Sequence, residues 1–134
     1  MERKIISTAA LMGMLAIILG AFGAHALKKY LTLEELNTFE TGVKYQMYHA
    51  LFLLFIGMNS FLEENKKKTI FRLVIFGVIF FSGSIYLLAT KSISGVNFRS
   101  IGIITPIGGT LLIVAWGLLI WNILKKKDNI LRKK

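Results

Sequence analysis

Apolar residues fall into four long runs, at about positions 5–27, 43–62, 70–89 and 101–124, and charged residues collect between them. A helix crossing a hydrocarbon core of about 30 Å needs roughly 20 apolar residues, and each run is about that long. Only helices or closed barrels satisfy their backbone polar groups in lipid. The pattern therefore predicts an all-α fold: an integral membrane bundle of four transmembrane helices, forming one domain over residues 1–134. The connector before the second run carries its own helix signal. Thr32 stands three residues before Glu35, the spacing of a capping box, and Glu40 stands four before Lys44, a favourable pair on a helix. Leu36, Phe39, Val43, Met47, Ala50 and Leu54 share one apolar side, and Thr38, Gly42, Tyr45 and His49 line the other. This reads as a short amphipathic outer helix leading into the second span, with a bend at Gly42.

Composition sharpens the picture. Hydrophobic residues make up 54% of the chain and the mean hydropathy is +0.62, which suits a membrane chain. The net charge of +10 is distributed unevenly. With four crossings, 12 of the 17 basic residues fall on the side of the N-terminus, including Lys66, Lys67, Lys68 and the clusters at 125–127 and 132–134. Cytoplasmic loops retain Lys and Arg, so both termini and the 63–69 loop are expected inside, and residues 28–44 and 91–100 outside. Tyr30, Tyr45, Tyr48 and Tyr86 fall near the outer ends, and Phe71 and Trp121 near the inner ends, where amphipathic rings favour the headgroup zone. Arg72 is close enough to the inner surface to snorkel. The positive charge thus serves topology and attraction to anionic lipid, and no soluble basic domain is present for nucleic acid.

The first run, with Arg3 and Lys4 before it and Ala24-His25-Ala26 at its end, superficially resembles a secretory signal with a cleavage site. Its apolar stretch exceeds the usual signal core, so it is read as a retained span. Ala9, Gly13, Ala16, Gly20, Gly23 and Ala24 project into one sector of that helix at about 100° per residue. Such ridges let membrane helices approach closely. Packing inside the bundle is the preferred reading, with a homodimer seam as the alternative; Gly77, Ser84, Gly102, Gly109 and Gly117 have similar uses in spans three and four. Pro106, the one proline, belongs to the first turn of span four or bends it slightly.

The string GAFGAHAL at 20–27, followed by FETGVKYQMYHAL at 39–51, resembles a family of small four-helix membrane proteins. The family includes bacterial YgdD- and YwdK-type proteins and a eukaryotic small transmembrane branch. The resemblance covers the whole chain in length and span order. It implies a multi-pass protein of the bacterial plasma (inner) membrane and carries no activity with it.

The functional leads are the polar residues within those motifs. His25 closes span one and His49 opens span two at similar depth, with Tyr45 and Gln46 one turn before His49. Polar groups at membrane depth commonly mark a site or an interhelical hydrogen bond. Tyr45 and His49 share a face, Gln46 lies to its side, and His25 points away from the small-residue ridge. Two histidines are too few donors for a metal site, and haem ligation would require them to face each other. The absence of cysteine removes thiolate chemistry. No nucleophile–base set, carboxylate pair or phosphate loop is present. The expectation is a non-catalytic membrane component without cofactor or metal, packing with lipid, with another copy of itself or with another membrane protein. The alternative is a small-molecule or lipid carrier using an outer polar pocket around His49.

Overall fold

The 26 residues of Leu33–Met58 form one uninterrupted helix, and the rest of the chain is arranged around it. In the computed structural model, the backbone is described for residues 1–96 and 99–131 and the side chains for residues 1–96 and 99–125. The helices are α1 (Glu2–His25), α2 (Leu33–Met58), α3 (Glu64–Val78), α4 (Ser84–Ala89), α5 (Lys91–Ser94) and α6 (Ile104–Leu131). A π-helical segment, Ile79–Gly83, joins α3 to α4, so the two form one long rod. Short 3-10 turns cover Leu27–Lys29 and Arg99–Ile103. Every regular element among the described residues is helical. Among the described residues, three stretches are long and apolar enough to cross a membrane: Glu2–Lys29, Glu64–Ala89 and Arg99–Lys125. Helix α2 is the fourth long helix, and the polar residues Lys44, Gln46 and His49 dilute its apolar character.

Local chemistry sets where α2 begins and ends. The Glu35 backbone N–H donates to Thr32 Oγ1 at 3.2 Å, and the Thr32 N–H donates to Glu35 Oε2 at 3.0 Å, closing the capping box that the sequence announces. At the far end the Asn59 side-chain amide donates to the carbonyls of Phe55 and Ile56, and its oxygen accepts the Leu62 N–H. Those bonds occupy carbonyls that a helix terminus leaves without partners. The helix thus stops at Met58, short of the 62 expected, while α3 starts six residues earlier than the third apolar run. Gly42 lies inside α2 without breaking it. It makes room instead: a Cβ there would lie 2.7 Å from Cε1 of Tyr86.

The expected outer helix and second span form one continuous helix, and both sides of α2 are occupied. Its apolar side meets the small-residue ridge of α1. A Cβ on Gly23 would lie 3.0 Å from the Phe39 ring, one on Gly20 would lie 3.4 Å from Val43, and one on Gly13 would lie 3.8 Å from Ala50. Ala9 and Ala16 are fully buried in this seam, but Ala24 is exposed and takes no part in it. The other side of α2 meets the α3–α4 rod and α6. Helix α6 in turn crosses that rod, most closely at Gly108, where a Cβ would come within 2.3 Å of the Phe81 backbone nitrogen. Gly77 lies against Leu112 and the Gly108 carbonyl in the same crossing. Gly109 is in ordinary contact with Phe81, while Gly102 and Gly117 have open space around them. Pro106 occupies the first turn of α6, where its missing N–H costs nothing.

Two apolar clusters result. The larger, at the end where α1 begins, gathers Ile5, Leu53, Ile56, Ile70 and Val74, and Phe71 is buried in it as well. The smaller, at the other end, gathers Leu27, Leu31, Phe39 and Ala89. Lys67 and Glu2 meet at 2.6 Å, so the starts of α1 and α3 share one face of the bundle. Lys67 also donates to the Asn59 carbonyl, and it is buried although it lies within a run of three lysines. On the opposite face, the Ser92 hydroxyl donates to Glu35 Oε1. The basic positions at 126–127 and 132–134 lie outside the described side chains.

Candidate functional site

Between the two apolar clusters, α2 carries Gln46 and His49, both buried. With a rise of about 1.5 Å per residue, they lie roughly 5 and 9 Å along the helix from Val43. At such a position every unpaired polar group is costly. Gln46 resolves this by bridging two other helices. Its Nε2 donates to the Met12 carbonyl of α1 at 3.0 Å, and its Oε1 accepts the Tyr86 hydroxyl of α4 at 2.8 Å. One side chain thereby ties α1, α2 and α4 together. The Tyr86 ring reaches it by passing over Gly42, whose missing side chain leaves the space, and by packing 5.0 Å from the Phe39 ring.

His49 is held differently. Nδ1 lies 2.7 Å from the carbonyl of Tyr45, one turn back on the same helix. Nε2 lies 3.3 Å from Nε1 of Trp116 on α6. A carbonyl only accepts and an indole N–H only donates. His49 must therefore carry its hydrogen on Nδ1 and accept through Nε2, which fixes one tautomer. Both ring nitrogens are used within the chain, leaving neither lone pair nor donor for a metal or a ligand. Trp116 stacks on Phe52 with ring centroids 4.2 Å apart, which positions its N–H toward the imidazole. Among the described residues, no group of three His, Cys, Asp or Glu side chains is placed to hold a metal.

Two further hydroxyl bonds tie neighbouring helices together. Ser82, inside the π-helical segment, donates to the Gly42 carbonyl at 2.8 Å. Ser84 and Thr105 pair at 2.6 Å between α4 and α6. The π turn inserts extra backbone in one helical turn, and Ser82 is buried within it, facing α2. Among the described residues no buried side-chain nitrogen or oxygen lacks a partner. The layer is chemically closed.

Of the four residues singled out from the sequence, the structure brings Gln46 and His49 into this layer. Tyr45 contributes its carbonyl and a ring face 6.4 Å from the imidazole and 4.8 Å from Phe81, while the residue remains 41% exposed. His25 is exposed at the end of α1 and does not join His49, because the ridge of α1 turns the opposite side of that helix toward α2. Gln46, not Tyr45, is the central polar group. The sequence pattern does not mark Tyr86, Trp116, Ser82 or Thr105 as partners of these groups. By its place near the outer end of a span Tyr86 reads as an interfacial ring, and the feature that makes room for it inward is Gly42, four residues before Gln46. Glu35 is held below the ordinary carboxylate range by the Ser92 hydroxyl first and by the Thr32 N–H next.

Comparison with known proteins places the chain. A family described as protein of unknown function DUF423 matches residues 19–109. A UPF0382 membrane protein of Staphylococcus saprophyticus is 46% identical over 111 residues, covering 83% of this chain and 88% of that one. A UPF0382 membrane protein of Haemophilus influenzae is 32% identical over 128 residues, 96% of this chain and 99% of that one. The UPF0382 inner membrane protein YgdD of Escherichia coli is 30% identical, with 94% of this chain and 93% of that one covered. No solved structure matches. With its relatives named as membrane proteins and its three long apolar helices, the chain is a membrane protein, and it belongs to the DUF423 family.

Proposed function

We propose that the chain is a four-span bundle of the bacterial inner membrane, acting as a non-catalytic component that packs with lipid or with a membrane partner. Helix α2 is the fourth span in this reading. Its lower apolarity is tolerated because its neighbours, not lipid, surround Gln46 and His49. Both termini and the α2–α3 connection are cytoplasmic, as the excess of Lys and Arg on that face favours. Large exposed side chains, among them Ile17, Ile113 and Trp121, form the surface offered to acyl chains. A soluble protein would not carry so extensive an apolar surface.

The observation supporting a structural role is that His49 and Gln46 spend their hydrogen-bonding groups inside the chain. Catalysis, haem ligation or carriage through this layer would need at least one of those groups free. The test uses the purified full chain in lipid nanodiscs. The expected result is no Soret band, no stoichiometric metal, and a lower melting temperature for His49→Ala. A Soret band or one metal per chain, lost in His49→Ala, would overturn the reading.

A further inference from the structure

A cavity of about 380 Å³ opens at the face where α1 and α3 begin, lined by Met1, Glu2, Arg3, Leu62, Glu64 and Lys67. Lys67 is only 2% exposed, and its ammonium donates to Glu2 Oε1 and to the Asn59 carbonyl. An ammonium has three N–H donors, so one is left for a ligand in the cavity that Lys67 lines. Arg3 is exposed, and among the described residues its side chain makes no ion pair or hydrogen bond. The two carboxylates, in contrast, each have a lysine: Glu2 meets Lys67 at 2.6 Å, and Glu64 meets Lys68 at 3.1 Å. Each pair engages one carboxylate oxygen and leaves the other able to accept a hydrogen bond. The unmatched side-chain charge of the cavity is therefore Arg3, and it is positive. Unlike α2, neither α1 nor α3 has a side-chain cap at its start, so their first N–H groups add positive potential on this face.

We propose that this cavity binds a phosphoglycerol group, a phosphate ester that also bears hydroxyls. Arg3 takes the phosphate through its paired N–H groups, and the remaining Lys67 N–H adds a buried donor. The second oxygens of Glu2 and Glu64 accept from the glycerol hydroxyls. A carboxylate already neutralised by a lysine suits a neutral hydroxyl better than a second ammonium. Met1 and Leu62 cover the apolar part of the group. Its source is either the headgroup of phosphatidylglycerol or free glycerol phosphate. The proposal rests on the reading that the protein packs with lipid, but the cavity shares no residue with the Gln46–His49 layer. Metal and haem content test that layer and lipid retention tests this cavity, so each can fail without the other.

The test is native mass spectrometry of the full chain released from nanodiscs containing equal phosphatidylglycerol and phosphatidylethanolamine. Both faces of the bundle meet lipid there, so the result does not depend on which face is cytoplasmic. The expected result is preferential retention of phosphatidylglycerol. Arg3→Gln should lower that retention roughly ten-fold, the scale of one charge-assisted hydrogen bond. Its melting temperature should match that of the parent chain, since Arg3 makes no bond within the bundle. Lys4→Gln removes an equal charge from an exposed neighbour that does not line the cavity, and it should leave the preference nearly unchanged. Equal losses in the two variants would reveal only diffuse attraction to anionic lipid and would overturn the site. Free glycerol phosphate at millimolar concentration distinguishes the sources. If it displaces the lipid, or binds where no lipid is retained, the site accepts the soluble ligand; retention that it does not affect assigns the site to the lipid headgroup. Equal retention of the two lipids, or a preference for phosphatidylethanolamine, without binding of glycerol phosphate would overturn the proposal, as would an Arg3→Gln chain indistinguishable from the parent.

Discussion

Gln46 is the side chain on which most of the polar packing turns, because its amide has one donor bond to α1 and one acceptor bond to α4. Interhelical hydrogen bonds in membranes are individually modest, since the unfolded reference state also finds partners. Gln46→Leu should accordingly cost about 0.5–2 kcal/mol in detergent, measured as a lowered unfolding midpoint, while the Tyr86 hydroxyl loses its acceptor. A midpoint equal to that of the parent chain would mean that the amide contributes nothing to holding the three helices. That Gln46 and His49 matter was legible from their presence in an apolar run. Which groups satisfy them was not. Met12 contributes a backbone carbonyl, which no sequence pattern distinguishes, and the tautomer of His49 follows from an indole 67 residues away. Lys67 makes the same point, since a run of three lysines does not reveal that the middle one turns inward to Glu2 and Asn59.

Helix contacts divide into those that small residues announce and those that depend on register. The ridge of α1 was readable because its small residues recur on one face, and it does meet α2 along Gly13, Gly20 and Gly23. The α3–α6 crossing was not. Gly108 and Gly109 are adjacent in sequence, and only the packing of α6 on the Ile79–Gly83 π turn reveals that Gly108 is the one meeting the Phe81 backbone. Gly108→Ala should therefore destabilise the bundle by about 1–3 kcal/mol, the usual range for overpacking. Gly117→Ala, with open space around it, should leave the midpoint unchanged or raise it slightly, as alanine is the better helix former. Equal effects in a thermal scan would contradict the crossing. The capping box of α2 gives a pH signature. Glu35 has a folded-state value below the ordinary 4.5, so its stabilisation is present above that value and is lost as pH falls through the folded one. The stability difference between the parent chain and Glu35→Gln should shrink over that acidic window, and a difference that stays constant with pH would remove the charge from the account.

At the scale of the whole molecule, four helical rods were legible from hydropathy alone, but the special position of α2 was not. A run containing Lys44, Gln46 and His49 reads as the weakest of the four spans. Enclosure by α1, the α3–α4 rod and α6 is what makes Gln46 and His49 tolerable, and enclosure is a property of the fold and not of the run. The two ends of the bundle are distinguished by their polar ties, Glu2–Lys67 at one and Glu35–Ser92 at the other. The central claim is that α2 passes through the membrane between these ends. Because the chain contains no cysteine, Asn37→Cys and Ser60→Cys can each report the location of one end of α2 through labelling by a membrane-impermeant thiol reagent. In intact cells, with the outer membrane made permeable where one is present, the account predicts labelling at position 37 and protection at position 60 until the inner membrane is opened. Labelling at both positions, at neither, or at position 60 alone would contradict it.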